Sequence, residues 1–284
     1  MVKKVLQVAV LISCLIVQVF AISCNGNKFS AKMPSEEDVK LLDSSAVIKE
    51  GDFVFFGSYP QNEYTVTALS YSEQEKSWLD ENCNTYRLEN GKYYDKLGKA
   101  YVYEMGRLFY LEPLTWEVLE CDDNTALLVC VNIIDARPYS QNNNNYSTSE
   151  IRGWLNLEFY NTAFSSTDQQ RIISSVVDNS SASTDCDYNN YVCENTEDKV
   201  FLLSYQEVVN ANIFASATQR VKFVTEYAKL RGAHSEMGKG WWWLRSPSVN
   251  FIEYANLVSK KGDVLNDYVY DTKGGVVPAI RIAL

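Results

Sequence analysis

A β-hairpin in the middle of the chain constrains the fold more than any other feature of the sequence. Thr115 to Cys121 is strand-like, Asp122-Asp123-Asn124-Thr125 supplies turn chemistry, and Ala126 to Ile133 is an apolar, β-rich run. Upstream, Asp52-Phe53-Val54-Phe55-Phe56-Gly57 reads as a strand ended by its glycine, with Ser58-Tyr59-Pro60 after it. Arg107 to Leu111 is also strand-like. The polar region from Gln61 to Gly98 predicts a long excursion with short strands around Tyr86 and Tyr93. Strands return at Trp241 to Leu244, Tyr254 to Val258 and Val276 to Ile282.

Helices occupy the interval between these groups. Ser147 and Glu150 have capping-box spacing, and Ile151, Trp154, Leu155 and Phe159 recur on one helical face. Ser165 with Asp168 marks a second N-terminus, and Ser204 with Glu207 opens a third helix through Val208, Val209 and Ile213. Thr218 to Arg231 has the clearest helical period, with Val221, Val224, Tyr227 and Ala228 on one face and Gly232 as its stop. Sheet, then helices, then sheet is the order of an α+β fold. Aromatic residues at 13%, with 19 tyrosines, favour sheets and loops over a helical bundle.

The first residues have the parts of an export signal in order. Lys3 and Lys4 are followed by an apolar run from Val5 to Phe20, and Ala21-Ile22-Ser23 precedes Cys24. A transmembrane helix needs about 20 predominantly apolar residues, and this run falls short. Small residues ending in cysteine match the pattern of a bacterial lipobox, so residues 1–23 are expected to be a lipoprotein signal peptide and Cys24 the lipidated N-terminus. Ile22 is a looser fit to that pattern than a small residue. Residues 24–50 then form a lipidated, polar tether, and residues 51–284 one large domain. That arrangement expects the domain outside the cytoplasm, held to a bacterial membrane by lipid alone, at the outer membrane or cell surface.

Charge and cysteine usage narrow the partners. A formal net charge of −10 with no clustered Lys and Arg argues against nucleic acid. With Cys14 in the signal and Cys24 lipidated, Cys83, Cys121, Cys130, Cys186 and Cys193 remain. Cys186 and Cys193 flank a short loop and are the candidate disulfide in an oxidising compartment. Buried free thiols are the reading for the others.

Phe56-Gly57-Ser58-Tyr59-Pro60-Gln61, Glu112-Pro113-Leu114-Thr115-Trp116-Glu117-Val118-Leu119 and Ala126-Leu127-Leu128-Val129, taken in order, resemble blocks of the domain of unknown function DUF6273. Ile151-Arg152-Gly153-Trp154-Leu155-Asn156 and Phe159-Tyr160-Asn161-Thr162-Ala163-Phe164 continue the resemblance. So do Lys199-Val200-Phe201-Leu202-Leu203-Ser204 and Trp242-Trp243-Leu244-Arg245-Ser246-Pro247. In Gly275-Val276-Val277-Pro278-Ala279-Ile280 the chain departs slightly, since the family more often has Arg where Val277 stands. The resemblance implies a C-type-lectin-like fold of twisted antiparallel sheets, flanking helices and long loops, of the kind shared with formylglycine-generating enzymes. It also implies a binding face between the Trp-rich strand and the final strand.

The inventory for catalysis is thin. His234 is the only histidine and sits in a polar stretch, so a Ser-His or Cys-His pair would have to use it. The paired-cysteine site of formylglycine-generating enzymes has no match. Asp185, Asp187, Glu194 and Asp198, with Asn189 and Asn190, offer oxygen ligands without EF-hand spacing, and a solvated acidic loop is the simpler reading. No metal or cofactor is expected.

Trp241-Trp242-Trp243 cannot all face solvent on a strand, so Trp242 and Trp243 are read as structural, Trp241 as the exposed one, and Arg245 as a loop anchor. Ser248 to Asp271 is rich in Tyr, Asn and Ser, the residues of adaptable binding surfaces and also of turns. The candidate ligand-binding residues are Trp241, Asn250, Tyr254, Asn256, Asn266, Tyr268 and Tyr270. Asn142 to Asn145 reads as a connector. The expected function is non-catalytic binding of a protein or glycan outside the cell; a carboxylate-dependent hydrolase of a cell-surface polymer and a structural envelope component are the alternatives.

Overall fold

A computed structural model describes residues 33–42, 47–65 and 68–284. The expected signal peptide, Cys24 and the first part of the tether lie outside the described residues. Among the described residues no helix is long and apolar enough to cross a membrane. Strand outweighs helix, 41% against 17%, and most strand pairs are antiparallel.

The predicted hairpin is the centre of the larger sheet. Arg107–Cys121 turns at Asp122, whose carboxylate accepts from the backbone of Asn124 and Thr125, and returns as Thr125–Cys130. Ala126 to Cys130 is buried throughout, as an apolar run between two other strands must be. One of those neighbours is Ala279–Ala283, which pairs Ile282 with Ala126. Ile172–Ile173 and Val200–Phe201 both pair with the outer side of Ala279–Ala283. The other half of Arg107–Cys121 pairs with Ala100–Glu104, which leads into a meander of Lys92–Tyr94, Thr85–Glu89, Ser77–Asp80 and Leu69–Ser72. Tyr86, Tyr93, Tyr101 and Leu108 form a small aromatic core of its own there.

The strand expected to end at Gly57 instead runs from Phe53 to Tyr64. Its register against Arg107–Cys121 shifts between Phe55 and Ser58, so Gly57 marks an irregularity within the strand and not its end. Gly57 has φ +68°, and a Cβ there would meet the Phe164 ring at 2.7 Å and Ala163 O at 2.8 Å. The glycine lets the helical segment pack directly on the sheet.

Helices are short. Ser165 and Ser204 form the capping boxes expected of them. Ser147 does not cap a helix, because its amide and hydroxyl both donate to Asn145 Oδ1, and Ser149 caps Glu150–Trp154 instead. That segment continues through Leu155–Phe159 to Tyr160–Ala163 and buries Ile151, Trp154, Leu155 and Phe159 as the periodicity predicts. The third helix, Tyr205–Val209, stops before Ile213.

The Thr218–Arg231 helix is a correction. Residues Lys222–Val224 form a strand, parallel to Asn132–Ile133 and antiparallel to Lys239–Gly240. Thr225 then caps the single helical turn Glu226–Leu230. Val221, Val224, Tyr227 and Ala228 are buried as expected, but β-branched residues at Val221 and Val224 satisfy a strand equally well, and tertiary pairing decides.

A second sheet holds Asp135–Ala136, Gly275–Val276, Trp242–Pro247, Tyr254–Val258 and Val264–Tyr268, in that order. The segment expected as one strand from Val276 to Ile282 switches between the two sheets at Val277-Pro278, where Pro278 O accepts from Cys130 N. Trp116, Trp242 and Trp243 are fully buried in the main hydrophobic core. Each indole N–H has a carbonyl partner: Phe56 O, Arg220 O and Arg137 O, at 2.7, 3.1 and 2.9 Å.

Candidate functional site

The second sheet ends in the hairpin Tyr254–Val258 and Val264–Tyr268, and its outer strand has no further neighbour among the described residues. Val269 N donates to Glu253 O and Ser259 N to Asp263 O, which fixes the phase of the ladder. Tyr254 and Tyr268 therefore face each other as a non-hydrogen-bonded pair, the kind whose side chains approach most closely. Their ring centroids are 4.3 Å apart. Phe251 lies 5.5 Å from Tyr254 on one side, and Tyr270 stacks on Tyr268 at 5.1 Å and 22° on the other.

The result is a ladder of four aromatic rings on the surface. Phe251 is 59% exposed, Tyr268 43% and Tyr270 50%, with Tyr254 half-buried between them. Exposed rings in contact with one another, at a sheet edge, form an apolar strip that a folded chain ordinarily covers. The Tyr254 hydroxyl is pushed up to about 12 by its hydrogen bond with Tyr268, then by partial desolvation and by the negative potential of Tyr268, Tyr270 and Asp267. Tyr270 is raised by desolvation and by Tyr268, Glu253 and Asp267.

The ladder is held from beneath by a loop. Asn144 is 1% exposed, and its side-chain amide donates to Phe251 O at 3.0 Å and Tyr254 O at 2.8 Å. Asn144 N donates to Ile252 O, Ser248 N to Tyr254 O, and Ser140 N to Val269 O. The Asn142 to Asn145 stretch, expected to be a connector, is thus the support of the aromatic turn. Its partners lie 107 and 110 residues away, so no local pattern could have indicated it.

The other candidate residues divide. Asn250 and Asn266 are exposed, and Asn250 N donates to Ser248 Oγ. Asn256 is buried, 4% exposed, and donates to Pro247 O, so it serves the fold and not the surface. Trp241 is half-buried, set edge-on against Trp243 at 4.9 Å. Trp242 and Trp243 are buried as expected, and Arg245 is an anchor: it donates to Leu202 O and Asp178 O and pairs with Glu207 at 2.6 Å.

The acidic loop does not form a ligand cage. Asp198 is buried and taken by Arg152 Nε at 2.7 Å and by Thr196, while Asn189 donates to Pro247 O. Among the described residues no group of three or more His, Cys, Asp or Glu side chains could hold a metal ion. Cys186 and Cys193 are separate free thiols, not a disulfide, and the loop between them is held by hydrogen bonds of Thr184, Asn189 and Gln206. His234 is half-exposed, and its backbone N–H donates to Lys273 O.

A family model for the domain of unknown function DUF6273 matches residues 123–284. The chain belongs to the DUF6273 family. No curated protein and no solved structure matches it. The DUF6273 region contains the whole second sheet and the aromatic ladder, and it begins inside the central hairpin turn. The strands Phe53–Tyr64 and Arg107–Cys121 precede the matched residues, and Arg107–Cys121 pairs directly with Thr125–Cys130 inside them.

Proposed function

We propose that this chain is an extracytoplasmic bacterial lipoprotein whose DUF6273 domain binds a protein or glycan without catalysis. Residues 1–23 are the export signal, Cys24 carries the lipid, and the polar residues after it present the domain away from the membrane. The order of positive, apolar and small residues before Cys24 supports this reading. The domain is C-type-lectin-like, supported by its two larger, mostly antiparallel sheets, short flanking helices and long loops.

One observation carries the binding function: four contiguous aromatic rings, exposed at a sheet edge and fixed by a buried amide. Tyrosine at such a place gives a large contact area at little entropic cost. The test is to screen the full-length chain against extracellular-matrix proteins and glycan arrays. Any interaction found should be lost when Tyr254, Tyr268 and Tyr270 are replaced together by Ala; an interaction that survives this triple substitution refutes the face. Separately, incorporation of a labelled fatty acid should be lost in Cys24→Ser, and equal incorporation by both would refute the anchor.

A further inference from the structure

The chemistry around the ladder is one-sided. Glu253 is exposed beside Tyr254, and Asp267 and Asp271 are part-exposed beside Tyr268 and Tyr270. No ion pair reaches any of these three among the described residues. From Ser248 to Ser259 the sequence has no Lys or Arg, and Lys260, at the far end of the hairpin, is paired with Glu236. The field of Glu253 and Asp267 is felt at the rings themselves, since it contributes to the raised hydroxyls of Tyr254 and Tyr270.

The backbone edge is already occupied beside the rings. Residues 264, 266 and 268 turn their backbone groups outward, but the Tyr268 N–H is already taken by Asp267 Oδ1 at 2.8 Å. The Tyr268 carbonyl accepts from Asp271 N, so a partner strand would find both outward backbone groups of Tyr268 occupied. Beside the rings, side chains and not backbone are what this edge offers.

We propose that the ligand of the aromatic face is a cationic polypeptide segment, its Lys or Arg side chains laid over the rings of Phe251, Tyr254, Tyr268 and Tyr270 and paired with Glu253, Asp267 and Asp271. Ring faces attract cations through their quadrupole, and unpaired carboxylates beside them add to that attraction and steer the approach. A neutral glycan would use the rings but leave the carboxylates without charged partners. This inference rests on the binding function proposed above and names its ligand class.

The experiment uses the full-length chain with three probes: poly-L-arginine, poly-L-glutamate and cellohexaose. An acidic protein attracts any polycation, so the decisive comparison is with Y254A/Y268A/Y270A, which leaves the net charge unchanged. The proposal expects poly-L-arginine to bind the triple variant on the order of tenfold more weakly than the parent chain. It expects a comparable loss for E253Q/D267N/D271N, in which the amides at 267 and 271 can still accept from the Tyr268 and Lys273 backbones. Unchanged near-ultraviolet signals from the buried tryptophans check that both variants fold. Equal binding of poly-L-arginine by the parent and the aromatic variant overturns the proposal, as does binding of none of the probes. Binding of cellohexaose through the same tyrosines, without poly-L-arginine, overturns the cationic ligand while leaving the face itself intact.

Discussion

Asn144 and Tyr254, 110 residues apart in sequence, are joined by a 2.8 Å hydrogen bond from a buried side-chain amide to a backbone carbonyl. The second hydrogen of the same amide goes to Phe251 O. A single side chain therefore fixes both ends of the turn that displays the first two rings. Asn144→Ala removes both bonds, while Ser248 N and Tyr254 N still reach the two carbonyls. Stability should fall by roughly 1–2 kcal/mol, and amide exchange should accelerate between Phe251 and Tyr254. Denaturant unfolding with hydrogen exchange would measure both; unchanged exchange in this turn would contradict the assigned support.

Gly57 offers a sharper test of the sheet–helix packing. Gly57→Ala adds a Cβ against the Phe164 ring and demands a left-handed backbone of alanine, φ +68°. A loss on the order of 1–3 kcal/mol is expected. Adding Phe164→Leu should recover only part of it, because the smaller side chain relieves the ring contact but neither the contact with Ala163 O nor the left-handed backbone. Full recovery in the double variant would show that the backbone contributes nothing.

Arg245 is 3% exposed and connects the second sheet to the Tyr205–Val209 helix through Glu207. Arg245→Ala leaves a carboxylate facing the space of a guanidinium and two carbonyls without their donor. Removing one member of such a pair costs roughly 3–5 kcal/mol, a loss readable as a drop in denaturant midpoint. A loss below about 1 kcal/mol would place the pair with surface ion pairs instead.

The same pair gives a pH dependence. Burial alone would raise the Glu207 carboxyl, but the charge and hydrogen bonds of Arg245 and the hydrogen bonds from Ser204 hold it below its ordinary 4.5. A carboxyl depressed in the folded state contributes stability that is complete above pH 4.5 and is lost as pH falls through the lower, folded value. Glu207→Gln should therefore be less stable than the parent chain near pH 7, and the gap should narrow below pH 4. Unfolding curves across that interval would show it, and a constant gap would contradict it.

Burial was more legible in the sequence than secondary structure. Val221, Val224, Tyr227 and Ala228 go inside as their spacing demands, yet the backbone that takes them there changes from strand to helix at Thr225. A helical period cannot distinguish the two when the partner strand, Asn132–Ile133, lies some ninety residues earlier. Local hydrogen-bond chemistry was readable where nothing competed, as at Ser165 and Ser204, and misread at Ser147, where Asn145 takes the hydroxyl first. At the surface site, Tyr254, Tyr268 and Tyr270 stood out by composition. Asn256 carried the same signal and is buried, its amide donating to Pro247 O, because composition does not reveal which asparagines the fold will take inside.

The place of the strand Ala279–Ala283 also determines when this protein can fold. It lies inside the larger sheet, against Thr125–Cys130 on one side and Ile172–Ile173 with Val200–Phe201 on the other. Until residues 279–283 have been synthesised, Thr125–Cys130 has an open edge of unpaired backbone groups and the sheet cannot close. Contacts of such long sequence separation form slowly, and the incomplete chain offers a strand edge to other chains in the meantime. The larger sheet is therefore completed late, by a strand that stands some 150 residues after the one it pairs with.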